Sequence, residues 1–322
     1  MFLSNRRIQY WSLDQEKTDL EKLIPLLKMD YQKESDGFLF EHKWLPSNGL
    51  SVVDEFVVKT VTIASQEYKY LPVFAKVEAP QIASEYMDLV SKEIAISHSI
   101  NPVIFIEVNN RIKVIVSASS SCFSRIRNNL MRYVQQKINL WGHIDYHGSE
   151  LEKDFFYWLL SKRGKKLKPG NDVYEILDVE GFRSHTEREL QKFQGTGRSI
   201  DTVVPFKTMV CLHNNFTGLD LVTKNQDDIT ISFSLSNDWE IKIDTNKTFQ
   251  MDKGKVVFFN DLKIIVFLLY LHIIPQLYCE YNSDKTWVVD QNNFRKTIAA
   301  QAIKEILSET GLTIPELGKL LA

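Results

Sequence analysis

A strict alternation of apolar and polar residues in the C-terminal half limits the folds open to this chain more than any other pattern. Residues 229–235 read Ile-Thr-Ile-Ser-Phe-Ser-Leu, and the alternation resumes at residues 239–243 after Ser-Asn-Asp. A period of two places successive side chains on opposite faces of a strand, one against a core and the other in water. The pattern predicts a β-hairpin within a β meander over residues 195–260, with Glu240 and Lys242 on its wet face.

The N-terminal third combines spacings typical of helices with runs typical of strands. Apolar residues recur at helical spacing over residues 14–29, and a second such segment extends from Pro80 to about residue 98. Strands are expected at residues 37–44, 51–63, 68–78 and 103–108. The resulting order, α-β-β-β-α-β, predicts an α+β fold whose N-terminal sheet is mixed and has flanking helices.

The remaining patterns divide the chain into three parts. Residues 1–120 form the predicted sheet-and-helix domain, and residues 121–170 form a basic helical connecting segment. This segment ends in a charged, glycine- and proline-containing stretch typical of a loop. Residues 171–322 are expected to form the β meander, closed by C-terminal helices that include a capping-box spacing at Thr313 and Glu316.

Composition excludes several classes of protein. With 44% hydrophobic and 25% charged residues, the chain has the content of a globular protein and not of a disordered one. The longest apolar run, residues 264–274, is too short for a membrane span, and the first residues lack a signal-peptide core. The three cysteines are far apart, which argues against a disulfide framework or a zinc site. We therefore expect a cytoplasmic protein without a membrane partner.

One set of residues points to a metal-dependent nuclease. If the strands at 51–63 and 68–78 form a hairpin, Asp54 faces Lys76, and Glu78 lies one step further out. The predicted element order resembles the core of restriction-endonuclease-like folds, in which carboxylates on two hairpin strands hold Mg²⁺ beside a lysine. The resemblance makes Asp54, Lys76 and Glu78 candidate catalytic residues and Mg²⁺ their cofactor. The sequence departs from that pattern because Phe74 stands where the family has an acid.

The strongest global signal is the charge of the middle segment. Residues 125–168 contain ten Lys and Arg against four Asp and Glu, so they carry a formal +6 while the rest of the chain carries −8. Clustered basic residues can neutralise nucleic-acid phosphates. The first hypothesis is therefore a protein that binds DNA or RNA, without a cofactor, through this segment. The residues assigned to this surface are Arg125, Arg127, Arg132, Lys137, Lys162, Arg163, Lys165 and Lys166.

A third hypothesis is a non-catalytic subunit or scaffold, whose charge asymmetry serves a protein partner or a homo-oligomer. The helical tail resembles the opening of a helix-turn-helix but offers DNA only Lys319, so we interpret it as a packing hairpin. His143 and His147 have the spacing of a two-histidine metal site, but Gly142 and Gly148 indicate a loop. No metal site is predicted there.

Overall fold

The protein is represented by a computed structural model that forms two compact units. The first comprises Met1–Ser149 and Asp261–His272, and the second comprises Glu150–Asn260 and Ile273–Ala322. The boundary after Ser149 falls inside the predicted connecting segment. The structure describes residues 6–13, 19–35, 38–47, 55–81, 86, 90–132, 134–135, 138–145, 150–168, 172–186, 191–259 and 261–321.

Strands dominate the first 145 residues. They are β1 (Arg7–Leu13), β2 (Asp30–Ser35), β3 (Phe38–Pro46), β4 (Lys59–Ile63), β5 (Gln66–Pro80), β6 (Ile96–Val108), β7 (Arg111–Ala118), β8 (Val134–Gln135), β9 (Ile138–Asn139) and β10 (Ile144–Asp145). The helices are α1 (Ile24–Leu27), which follows a 3₁₀ turn at Glu21–Leu23, α2 (Lys92–Ala95), and α3 (Ser120–Arg125), which continues as a π turn over Ile126–Met131.

Strands and helices are interspersed in the part of the chain after residue 150. The strands are β11 (Lys166–Leu167), β12 (Tyr174–His185), β13 (Lys192–Thr196), β14 (Asn215–Asn225), β15 (Ile229–Ser236), β16 (Ile241–Asp252) and β17 (Lys255–Phe258). The helices are α4 (Lys153–Ser161), α5 (Val204–Cys211), α6 (Leu262–Leu268) with a π turn over Leu269–Ile273, α7 (Ile274–Ser283), α8 (Trp287–Thr310) and α9 (Ile314–Leu321). A 3₁₀ turn at Ile200–Thr202 precedes α5.

The first unit is built on one antiparallel sheet in the order β10-β1-β7-β6-β5-β3-β2, and β4 also pairs with β5. The predicted mixed sheet with the order α-β-β-β-α-β is wrong, because each ladder between its described strands is antiparallel. Two-residue turns explain this arrangement. Ala64 and Ser65 have positive φ angles between β4 and β5, and Asn109 and Asn110 do so between β6 and β7. Such turns reverse the chain at once, whereas parallel neighbours need a long crossover.

The two long N-terminal helices were also predicted wrongly. Only the 3₁₀ turn and α1 appear within the described part of residues 14–29, and α2 has four residues before the chain enters β6 at Ile96. The basic helical middle segment is wrong in the same way, because it holds the short strands β8 to β11 as well as helices. β-branched residues inside these segments, such as Ile96 of β6 and Ile144 of β10, are buried in strands and favour the pleated surface over the helix.

The core of the first unit lies between the sheet and the helical segment 120–131. Phe123, Ile126 and Leu130 belong to a buried cluster with Trp44 and Phe105 of the strands. Helix α6 and its π turn contribute further contacts from a distant part of the sequence. The hydroxyl of Tyr270 donates to the carbonyl of Ile8 at 2.6 Å, and the ring stacks on Tyr10.

The second unit has an antiparallel sheet in the order β11-β12-β14-β15-β16, with β13 on β12 and β17 on β16. Leu235 pairs with Ile241, and the amide of Ser236 donates to the carbonyl of Glu240 at 2.9 Å. The turn of the alternating hairpin therefore comprises residues 237–239, one residue later than predicted, and the inward-facing set is unchanged. The aromatic residues of α4 are buried, and Trp158 donates its indole hydrogen to Asp284 at 2.9 Å.

Helix α6, its π turn and helix α7 follow one another without a break and form one apolar helical run. Leu262–Ser283 is long and apolar enough to cross a membrane, with a mean hydropathy of 1.8 over eighteen residues. Half of that window is buried inside the molecule, and core helices of soluble proteins have the same length and composition.

Candidate functional site

A cleft of about 260 Å³ in the first unit brings together polar residues from four parts of the chain. Strands β2, β3 and β5 supply one side, and α3 with its π turn supplies the other. The described lining residues are Lys33, Phe40, His42, Glu78, Pro80, Ser124, Arg125, Asn128 and Asn129.

The strand side of the cleft forms where the β3–β5 ladder ends. Its last pair at this end is Lys43 with Lys76. Beyond that pair, side-chain atoms accept the backbone hydrogen bonds in place of strand carbonyls. The amide of Glu78 donates to Nδ1 of His42 at 3.2 Å, and the amide of Glu41 donates to Oε2 of Glu78 at 2.9 Å. These bonds satisfy two backbone donors that the sheet would otherwise pair.

The helical side depends on the π turn. Ser124 and Arg125 lie at the end of α3, and Asn128 and Asn129 lie in the wider turn that follows. All four line the cleft, while Ile126 and Leu130 between and beside them are buried in the core. π turns are frequent at functional sites because they shift side chains away from their α-helical positions.

His42 is the most deeply buried polar residue of the cleft, with 2% of its surface exposed. Its Nε2 atom is buried and has no hydrogen-bond partner within the described residues. Burial lowers the pKa of His42, Lys33 and Arg125 lower it further, and Glu78 opposes them. The imidazole is therefore neutral at physiological pH.

Cationic groups outnumber anionic ones around His42. Lys33 and Arg125 make no ion pair within the part of the chain that is described, whereas Lys76 Nζ lies 3.7 Å from Oε1 of Glu78. Glu78 is the single acid among the described lining residues, and it is 9% exposed. The cleft therefore presents an excess of positive charge and of hydrogen-bond donors.

The three candidate catalytic residues are only partly brought together. Lys76 and Glu78 are in contact, but Asp54 lies outside the described residues. Within the described strands, Lys76 is paired with Lys43 of β3 and Ile100 of β6. Among the described residues, no group of three or more His, Cys, Asp and Glu side chains is placed to hold a metal ion.

The eight basic candidates are distributed over both units. In the first unit Arg125 lines the cleft, Arg127 is half-buried, Arg132 is exposed, and Lys137 lies outside the described residues. In the second unit Lys165 and Lys166 are exposed.

Lys162 and Arg163 of the second unit take part in internal ion pairs. Lys162 Nζ lies 2.8 Å from Asp284, and the Arg163 guanidinium contacts Asp178 at 2.8 Å and Asp201 at 2.5 Å. These carboxylates neutralise the two cations locally, so neither adds a free charge to a phosphate-binding surface.

Sequence reasoning missed Lys33, His42, Asn128 and Asn129. Neither an apolar period nor a motif marks them, since their proximity arises from the end of a strand ladder and from a π turn. Of the two paired histidines, His143 is exposed and His147 lies outside the described residues.

A second, larger cavity of about 640 Å³ lies on strands β12 to β14 of the second unit. Its described lining residues are Arg183, Ser184, His185, Lys192, Phe193, Gln194 and Thr217. Arg183 lies 3.8 Å from Asp220, and His185 contacts Asn215, so its main polar groups already have partners.

Comparison of the sequence with models of protein families and with curated proteins found no match.

Proposed function

We propose that the protein binds nucleic acid and that the cleft of the first unit contacts its phosphates. The observation that supports this proposal is the position of Arg125, a phosphate contact expected from the sequence, beside Lys33 and a buried neutral histidine. Cations that lie next to amide and hydroxyl donors suit phosphate oxygens.

The metal-dependent nuclease has weaker support. Its expected sheet is replaced by an antiparallel one, and the carboxylate of Glu78 is engaged by the Glu41 amide and by Lys76. A Mg²⁺ site needs carboxylate oxygens that are free to face the ion. Binding without cleavage is the function we favour.

A fluorescence-anisotropy titration tests the proposal. Short duplex and single-stranded DNA and RNA are titrated at two salt concentrations, with and without Mg²⁺. We expect affinity that falls steeply with salt, and a loss of about tenfold in Arg125→Glu, because phosphate contacts release counterions.

Arg111→Glu is the matched control, because Arg111 is exposed at the β6–β7 turn and does not line the cleft. Equal losses in the two variants would contradict the cleft as the binding surface. An absence of binding at low salt would overturn the proposal and favour a scaffold function. Mg²⁺-dependent cleavage of the oligonucleotides in the same samples would favour the nuclease.

A further inference from the structure

The hydrogen bond between the Glu78 amide and His42 determines which ring nitrogen of the histidine carries the proton. The amide can only donate, so Nδ1 of His42 accepts and has no hydrogen of its own. In the neutral ring the hydrogen therefore lies on Nε2. This Nε2–H is a buried donor without an acceptor among the described residues.

A buried donor without a partner costs free energy, commonly about 1–3 kcal/mol, and a ligand that accepts from it removes that cost. Such groups are uncommon in native structures. His42 lines the cleft, so an acceptor seated there is the simplest partner for Nε2–H.

Apart from the carboxylate of Glu78, which already accepts from the Glu41 amide, the other polar lining groups can also act as donors. The Arg125 guanidinium and the Lys33 ammonium donate only, and the amides of Asn128 and Asn129 and the hydroxyl of Ser124 can donate. A ligand that satisfies this set must carry several acceptor oxygens and negative charge.

Lys33 and Arg125, which have no ion-pair partner among the described residues, favour one kind of phosphate over another. An internal phosphodiester carries one negative charge and two free oxygens. A terminal phosphate monoester resembles the phosphate of a phosphorylated side chain, which carries a charge of roughly −1.5 to −2 at pH 7 and has three terminal oxygens. The cleft is also smaller than the roughly 300–1,000 Å³ of pockets that enclose whole drug-sized ligands, which suits a chain end.

We infer that the cleft takes a terminal phosphate monoester of a nucleic acid strand, with His42 Nε2–H donating to one phosphate oxygen and Arg125 and Lys33 balancing the charge. This inference rests on the proposed function and names the part of the nucleic acid that the cleft recognises.

The test compares oligonucleotides of one sequence that carry a 5′-phosphate, a 3′-phosphate or hydroxyl groups at both ends, at a single salt concentration and pH 8. We expect one phosphorylated form to bind at least about tenfold more tightly than the hydroxyl form. Lys33→Gln and Asn128→Ala, at exposed positions that leave the core intact, should each reduce that preference. Arg111→Gln should leave it unchanged.

A His42→Asn variant adds a direct readout of the proposed hydrogen bond. We expect it to weaken binding of the phosphorylated oligonucleotide more than salt-dependent binding of the hydroxyl form. Equal, salt-sensitive affinity for all three oligonucleotides would overturn the inference and leave the proposed function standing.

Isothermal titration with inorganic phosphate separates the sources of the phosphate. Binding of inorganic phosphate that depends on Lys33, without binding of any oligonucleotide, would overturn the nucleic-acid source and the proposed function together. It would assign the cleft to a free phosphorylated molecule.

Discussion

At the scale of single residues, His42 shows how a sheet hydrogen bond can be replaced by a side chain and thereby set up a site. Glu78 lies beyond the last residue pair of the β3–β5 ladder, and its amide donates to Nδ1 of His42. The ring is held in place by this bond and by burial. Its orientation and its tautomer thus follow from where the ladder ends, and not from the residues next to it in the sequence.

The stability of the protein should depend on pH through His42. The pKa of His42 is lowered from 6.5 in the folded chain, by burial first, with Lys33 and Arg125 lowering it and Glu78 raising it. Between the two pKa values the unfolded chain holds more protons, so the free energy of unfolding falls as pH decreases from 6.5 through this window.

Urea denaturation between pH 7.5 and pH 5 measures this dependence. His42→Asn should flatten it, while His143→Asn, at an exposed position of the same unit, should not. Identical slopes in the wild type and His42→Asn would show that the prediction is wrong.

At the scale of elements, the helical segment 120–131 has two separable tasks. Leu130 of the π turn is fully buried in the core cluster, and Asn128 is exposed at the cleft. The π turn lets one short segment contact the core and the cleft at once.

Leu130→Ala should therefore lower the free energy of unfolding by about 2–5 kcal/mol, because it removes buried methyl groups and leaves a cavity. Asn128→Ala should change it by less than about 0.5 kcal/mol, as exposed substitutions usually do. Chemical denaturation of both variants checks this; a comparable cost for the two would contradict the division of tasks.

Helices α5 and α8 of the second unit are joined by an ion pair between Lys207 and Glu305. The Lys207 side chain is 6% exposed and that of Glu305 is 44% exposed. Removing the carboxylate leaves the lysine charge buried, so Glu305→Ala should cost about 1–3 kcal/mol. Lys207→Met should cost less, since it removes the buried charge itself. The order of the two midpoints in urea decides the matter, and the reverse order would refute this account.

At the scale of the whole molecule, the first unit is discontinuous in sequence. Residues 261–272 belong to it although they follow the strands of the second unit. Tyr270 contacts Tyr10 and the Ile8 carbonyl, and Phe267 packs edge-on against Tyr70. The helix therefore completes a core whose other elements end at residue 145.

A fragment of residues 1–149 should consequently fail to form a native core, because it exposes the apolar surface that α6 covers. A second fragment in which a flexible linker joins residues 261–272 to residue 149 should recover a cooperative thermal transition. Circular dichroism and dye binding distinguish the two; a cooperative transition in the shorter fragment would contradict this expectation.

Several local features of the structure follow from short-range patterns in the sequence. Asn109 and Asn110 form the two-residue turn, Gly311 ends α8 at a φ of +69°, and Thr313 and Glu316 cap α9 reciprocally. Each depends on backbone conformations or side-chain bonds within four residues, which local sequence specifies.

Neighbouring residues are enough to specify these turns and caps, the alternating hairpin of β15 and β16, and the basic character of the segment that holds Arg125. The antiparallel order of the first sheet, the place of α6 in the first unit and the proximity of His42 to Arg125 arise only when the chain folds, because they depend on contacts between residues far apart in the sequence. Strand β5 pairs with β3, β4 and β6, and such contacts are chosen by burial and register over the whole fold. The cleft forms at the end of the β3–β5 ladder, so its position depends on these long-range strand pairings.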